Sequence, residues 1–138
     1  MNKFFIALAL VCASVQPIDA TQMSNVIKLS EITKGSSMSM AKFMEMIKTG
    51  NVIVKCSADW CNPCRQMATH IPALAQEFAD VTWMEVDTDM FRELGTAFGI
   101  KSIPTLIFFR NGKEIAREVG GKNKQDLRNA LKRHFTIK

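Results

Sequence analysis

From Ser39 onward the apolar residues Met40, Phe43, Met44 and Ile47 recur at spacings of three and four. That period predicts an amphipathic helix to about Lys48, stopped by Gly50, with the methionines as core filler. The period then changes. Val52–Ser57 is a β-branched run of buried-strand length, and Lys55 is the one charge inside it. Cys61–Ala79 returns to helical spacing with Met67, Ile71, Leu74, Ala75 and Phe78 on one side, and Pro72 is expected to kink it. Val81–Val86 reads as the next strand. Asp87–Asp89 is expected to cap a short helix reaching Phe98, weakened by Gly95 and Gly99. Thr105–Phe109 is almost wholly apolar, and Asn111-Gly112 is a strong signal for a two-residue hairpin turn, so Glu114–Val119 should return antiparallel. Past Gly120-Gly121, Lys124–Phe135 forms a last helix with Leu127, Ala130 and Leu131 inward; Lys124, Arg128, Lys132 and Arg133 read as a solvated outer face. Upstream, Thr21–Asn25 is a polar lead-in, Val26–Leu29 a short first strand, and Gly35-Ser36-Ser37 a loop.

The order is strand, helix, strand, helix, strand, helix, hairpin, helix. Early alternation requires parallel crossovers, whereas the late Asn-Gly turn requires an antiparallel pair. The sheet should therefore be mixed and covered by helices on both faces, a three-layer α/β/α sandwich. With 138 residues and 47% hydrophobic content the chain can bury one core, and no internal repeat divides it.

The first twenty residues follow a different logic. Lys3 gives a positive start, Phe4–Val15 is an apolar run shorter than the roughly 18 residues of a spanning helix, and Ile18-Asp19-Ala20 ends on a small residue. Residues 1–20 are read as a cleaved secretory signal and 21–138 as the domain, which places the protein in the periplasm or outside the cell. An uncleaved membrane anchor is the alternative; Cys12 invites a lipoprotein reading that the bulky Val11 before it argues against. Cleavage removes Lys3 and Asp19 together, so the net charge stays +5. The bases form no block interleaved with aromatics, so nucleic acid is not an expected partner.

Cys61 and Cys64 stand three apart where a strand ends and a helix begins. Unpaired N–H groups at a helix start favour a thiolate at Cys61, and a thiolate is what attacks a disulfide. Cys64, one turn deeper on nearly the same face, is placed to displace the mixed disulfide. Pro63 suits the first helical turn, where its missing donor is not needed, and stiffens the loop. A structural zinc clip needs four ligands, and the chain has no second Cys-x-x-Cys and only His70 and His134 as imidazoles, so no metal is expected.

Three stretches, Ala58–Cys64 (ADWCNPC), Gly99–Glu114 (GIKSIPTLIFFRNGKE) and Arg117–Gly121 (REVGG), give the chain a resemblance to the thioredoxin family that extends from about Val26 to Phe135. The resemblance implies the thioredoxin-like sandwich and a redox disulfide between Cys61 and Cys64. It also implies a cis Ile103–Pro104 peptide beside the nucleophilic sulfur, leaving the Ile103 backbone free to bond an extended substrate. Trp60, Asn62, Pro63, Ile103, Pro104 and Gly120 are the substrate-binding residues so implied, although by composition Trp60 reads equally well as core and Pro104 as a rigid strand start.

Lys55 departs from the family pattern. It stands where thioredoxins usually bury a carboxylate beneath the dithiol, and a charged lysine cannot accept a proton. Alignment with the family makes Glu85 its best-placed partner, the ammonium then stabilising a Cys64 thiolate; alternatively Lys55 turns its charge outward and touches no sulfur. Cys56, next to it, points to the opposite face and is expected to be a small buried hydrophobe. Asp59 is either an unfavourable neighbour of the thiolate or a plain loop residue.

The expected function is thiol–disulfide oxidoreduction, reducing disulfides in protein substrates through Cys61, Cys64 and a mixed disulfide, with no cofactor and with a dithiol protein as electron donor. Two alternatives stand beside it: a disulfide oxidase or isomerase, suited to an exported protein, and a thioredoxin-fold binding module with an incidental dithiol.

Overall fold

The computed structural model describes residues 25–136. The expected leader, residues 1–20 with Cys12, lies outside the described residues.

Five strands and six helices follow in the order β1 (Val26–Lys28), α1 (Leu29–Thr33), α2 (Met40–Met46), β2 (Asn51–Ser57), α3 (Asn62–Ala68), α4 (Ile71–Glu77), β3 (Val81–Asp87), α5 (Arg92–Ala97), β4 (Thr105–Arg110), β5 (Lys113–Val119) and α6 (Lys124–Phe135). The sheet order is β1-β3-β2-β4-β5, with β1, β3 and β2 parallel, β4 antiparallel to β2, and β5 antiparallel to β4. The expected mixed sheet is present. β2 and β4 carry near-continuous apolar runs because helices cover both of their faces. One core joins Phe43, Ile47, Val52, Val54, Cys56, Val86 and Phe109 on the side of α2 and α5. The other joins Ile53, Met67, Leu74, Trp83, Phe108 and Leu131 on the side of α3, α4 and α6. Among the described residues no helix is long and apolar enough to cross a membrane.

The β4–β5 turn is the expected one. Asn111 (φ 50°) and Gly112 (φ 77°) both take the left-handed conformation that an Asn-Gly hairpin turn uses. Asn111 also fastens the turn to the start of β2: its N–H donates to the Gly50 carbonyl at 2.9 Å, and its side-chain oxygen accepts from Gly50 N–H at 2.9 Å.

Four expectations are corrected. The Cys61–Ala79 helix is two helices, because Pro72 lacks a donor and its ring collides with the carbonyl four residues back, so the chain breaks at Thr69–His70 instead of bending. Val26–Leu29 is a three-residue strand followed at once by α1, which has no apolar period to announce it. Asp87 caps no helix; its Oδ1 accepts from the N–H of Asp89 and of Met90, at 2.8 and 3.0 Å, closing a turn before α5. The basic face of α6 is solvated at Lys124, Lys132 and Arg133 as expected but not fully at Arg128, which is half-buried and forks onto Glu77 at 2.7 and 2.9 Å.

Candidate active site

β2 delivers the chain to a tight turn in which Cys61 N–H donates to the Ala58 carbonyl at 3.1 Å, and Cys61 becomes the N-cap of α3. Asn62 and Pro63 fill the first helical positions, where proline's missing donor has no partner to lose. Cys61 and Cys64 form a disulfide with a Cα–Cα separation of 5.2 Å. The Cys64 N–H donates to Cys61 Sγ at 3.3 Å, so an orphan helix-start donor is aimed at the sulfur expected to carry charge. Cys61 is 4% exposed and Cys64 2%, which sets an order of access: Cys61 lines a groove on the surface and Cys64 does not.

That groove has a volume of about 750 Å³. Trp60, Asn62, Pro63 and Ile103, expected at the site, line it; Pro104 is buried and Gly120 is not among the lining residues. Gly120 supports from behind, its N–H donating to the Pro104 carbonyl at 2.9 Å with φ 102°. The next residue is packed against the dithiol loop, because a Cβ on Gly121 would stand 3.2 Å from Pro63 Cβ. The Ile103–Pro104 peptide is cis. Trp60 is 69% exposed, so it is groove and not core. Its indole N–H donates to Asp89 Oδ2 at 2.8 Å, fixing the ring on the rim. Asn62 Oδ1 and the Asp59 carbonyl both receive Arg65, at 3.4 and 3.1 Å.

Besides Gly95 and Thr96 of the groove, sequence reasoning missed Thr88, Asp89, Arg92, Ile100, Lys101 and Ser102. All but Asp89 line the groove, and all six come from segments whose placement depends on tertiary folding. Ile100, Lys101 and Ser102 had one signal, their position just before the Ile-Pro step, and Thr88, Asp89 and Arg92 had none.

Beneath the site, Lys55 is buried (3% exposed) and its Nζ lies 2.8 Å from Glu85 Oε1, directly across the β2–β3 register. It shares the Ile53 face of β2, the face on which Met67 of α3 packs, so the pair sits on the dithiol-helix side of the sheet. Glu85 is partly open to a polar hollow of about 280 Å³ that also touches Asp59 and Asp87. Cys56 is on the opposite face, as expected. Burial pushes its thiol up to about 12, against a weaker downward pull from Arg117. At the far edge of the sheet, burial works to raise the Glu118 carboxyl, but Lys122, Arg133 and His134 outweigh it and hold it down to about 2. Among the described residues no group of three or more His, Cys, Asp or Glu side chains is arranged to hold a metal.

The thioredoxin family model matches residues 34–133. Curated relatives include a thioredoxin of Chlamydia muridarum, 39% identical over 97 residues that span 70% of this chain and 95% of the relative. A thioredoxin of Gallus gallus is 36% identical over 81 residues, spanning 59% and 76%. Among solved structures, a thioredoxin from Nicotiana alata superposes with a TM-score of 0.68 at 29% identity, over 80% of this chain and 93% of the other. A thioredoxin from Fasciola hepatica gives 0.61 at 30% identity, over 79% and 97%. With a Cys61–Cys64 pair bonded at the mouth of a groove, the chain belongs to the thioredoxin family and is a thiol–disulfide oxidoreductase that reduces protein disulfides.

Proposed function

We propose that Cys61 is the attacking sulfur and Cys64 the resolving one, in an exported reductase fed by a dithiol protein. The carrying observation is that Cys61 reaches the groove and receives the Cys64 N–H, whereas Cys64 lies behind it. In the reduced enzyme the Cys61 thiolate attacks a substrate disulfide; that S–S bond breaks, a mixed disulfide forms, and the departing sulfur leaves as a thiolate that takes a proton from water. Cys64 then attacks the Cys61 sulfur, closing the enzyme disulfide and releasing the second substrate thiolate. Two electrons pass to the substrate, and the donor dithiol returns two.

Trp60 and Ile103 form the apolar walls against which an extended chain lies, with Pro104 holding Ile103 in place. Lys55 is a positioning residue whose ammonium, held by Glu85, favours the Cys64 thiolate from beneath. Its burial and the 2.8 Å pair support this and disfavour an outward-turned lysine. The leader pattern of residues 1–20 supports export.

The test is mixed-disulfide trapping on a disulfide protein such as insulin. Cys64→Ser should accumulate a covalent adduct through Cys61, and Cys61→Ser should neither trap nor reduce; continued reduction by Cys61→Ser overturns the assignment. In Lys55→Met the pH profile of the resolving step should move to higher pH, and an unchanged profile removes Lys55 from the mechanism. In cells, a mostly reduced Cys61–Cys64 pair in a cleaved, exported chain fits the reading. A mostly oxidised pair favours the oxidase instead.

A further inference from the structure

Charge is unevenly divided around the Cys61 turn. The groove lining holds two cations, Arg92 at the start of α5 and Lys101 just before the Ile103–Pro104 step, and no carboxylate. Both are exposed, and among the described residues neither has an ion-pair partner or a side-chain hydrogen bond. All five other arginines are engaged, Arg65 on the Asp59 carbonyl, Arg110 on the His134 carbonyl, Arg117 on Glu114, Arg128 on Glu77 and Arg133 on Glu118. Asp89 already accepts the Trp60 indole on the groove's rim. The hollow touching Asp59 has the reverse balance: of its four carboxylates Glu31 pairs with Lys28 and Glu85 with Lys55, which leaves Asp59 and Asp87 without a cation among the described residues. A substrate segment at Cys61 therefore meets uncommitted positive charge on the groove side and negative charge on the other.

We infer that Arg92 and Lys101 set substrate preference. The groove selects extended segments that carry Asp or Glu within a few residues of the disulfide cysteine, and it disfavours lysine there. The inference rests on the groove being the substrate site of the reductase. Unpaired cations on an apolar wall give orientation and rate more than affinity, because the carboxylate is steered in while the walls supply contact area. Exposed pairs are individually weak, so two together should give roughly a threefold to tenfold difference.

The experiment uses prereduced full-length protein and three disulfides: an uncharged small disulfide (2-hydroxyethyl disulfide) and two peptide disulfides identical except for Asp or Lys beside the cysteine. The expected result is faster reduction of the Asp peptide at low salt. The Asp-to-Lys rate ratio should collapse towards one in an Arg92→Ser, Lys101→Ser double variant, and also in 1 M salt, where charges more than about 3 Å apart are screened. Because each ratio is taken within one preparation, partial misfolding of a variant cancels. A ratio near one in the wild type, with the uncharged disulfide still reduced, overturns the charge preference and leaves the reductase standing. A ratio that persists in the double variant also overturns it. Failure of wild-type protein to reduce any of the three brings down both.

Discussion

Two rows of residues cross the sheet on the α6 side, two positions apart along each strand. Val26, Trp83, Ile53, Phe108 and Ala116 form the first, and Lys28, Glu85, Lys55, Leu106 and Glu118 the second. The first row is wholly apolar and packs beneath α4 and α6. The second, nearer the dithiol end, has one apolar member. The same strands pair in both rows, with a bulge beside the first at Phe108–Phe109, and the main difference lies in the side chains. A sheet face that needs only stability is filled with hydrocarbon. Lys55 and Glu85 carry a desolvation penalty that a hydrocarbon pair in the same place would not.

Substitutions in the two rows should separate these roles. In the apolar row, Phe108→Ala should lose about 4 kcal/mol of unfolding free energy by chemical denaturation, since it removes a fully buried ring and leaves a cavity. In the charged row, Glu85→Ala should lose about 3 kcal/mol, because Lys55 would remain buried without its counter-charge. The pair replaced together, Lys55→Met with Glu85→Leu, should be within about 1 kcal/mol of wild type. That double variant sharpens the contrast most: stability retained with an altered pH profile of resolution assigns the charges to chemistry, whereas a loss as large as that of Glu85→Ala makes them structural.

Glu118 supplies a smaller effect with a defined sign. Its folded carboxyl is depressed to about 2, so its contribution is present above the unfolded value of about 4.3 and is lost as the pH falls between the two. Wild type should therefore lose more stability than Glu118→Gln between pH 5 and about pH 2. Equal slopes would mean that the contacts to Lys122, Arg133 and His134 count for little. The smallest effect concerns Cys56: in the folded oxidised protein its thiol, with a value near 12, should not react with iodoacetamide at pH 8, and prompt labelling would show that the apolar side of the sheet opens readily.

Much of this was legible from the sequence because the deciding signals are local. The change from helical to strand period before Val52, the Asn111-Gly112 turn and the Cys-x-x-Cys at a helix start each act within a few residues. The Lys55–Glu85 pair was reachable only through the resemblance, since 30 residues separate the partners and only strand register joins them. What stayed hidden is long-range or unpatterned: Arg128 finding Glu77 across 51 residues, the Trp60–Asp89 contact across 29, and the cations of the groove. α1 was missed because one buried residue, Leu29, makes no period. The α3–α4 break needed the knowledge that α4 packs independently; proline alone signals a disturbance, not its size.

The burial of Cys56 has a consequence for errors. Three described cysteines admit three pairings, yet two of them need the Cys56 sulfur, which is enclosed in the core on the α2 and α5 side of the sheet. Neither can form while the sheet is intact, so the cycle has one intramolecular product and counts two electrons. A scrambled isomer would then be a record that the molecule had unfolded, not a by-product of turnover.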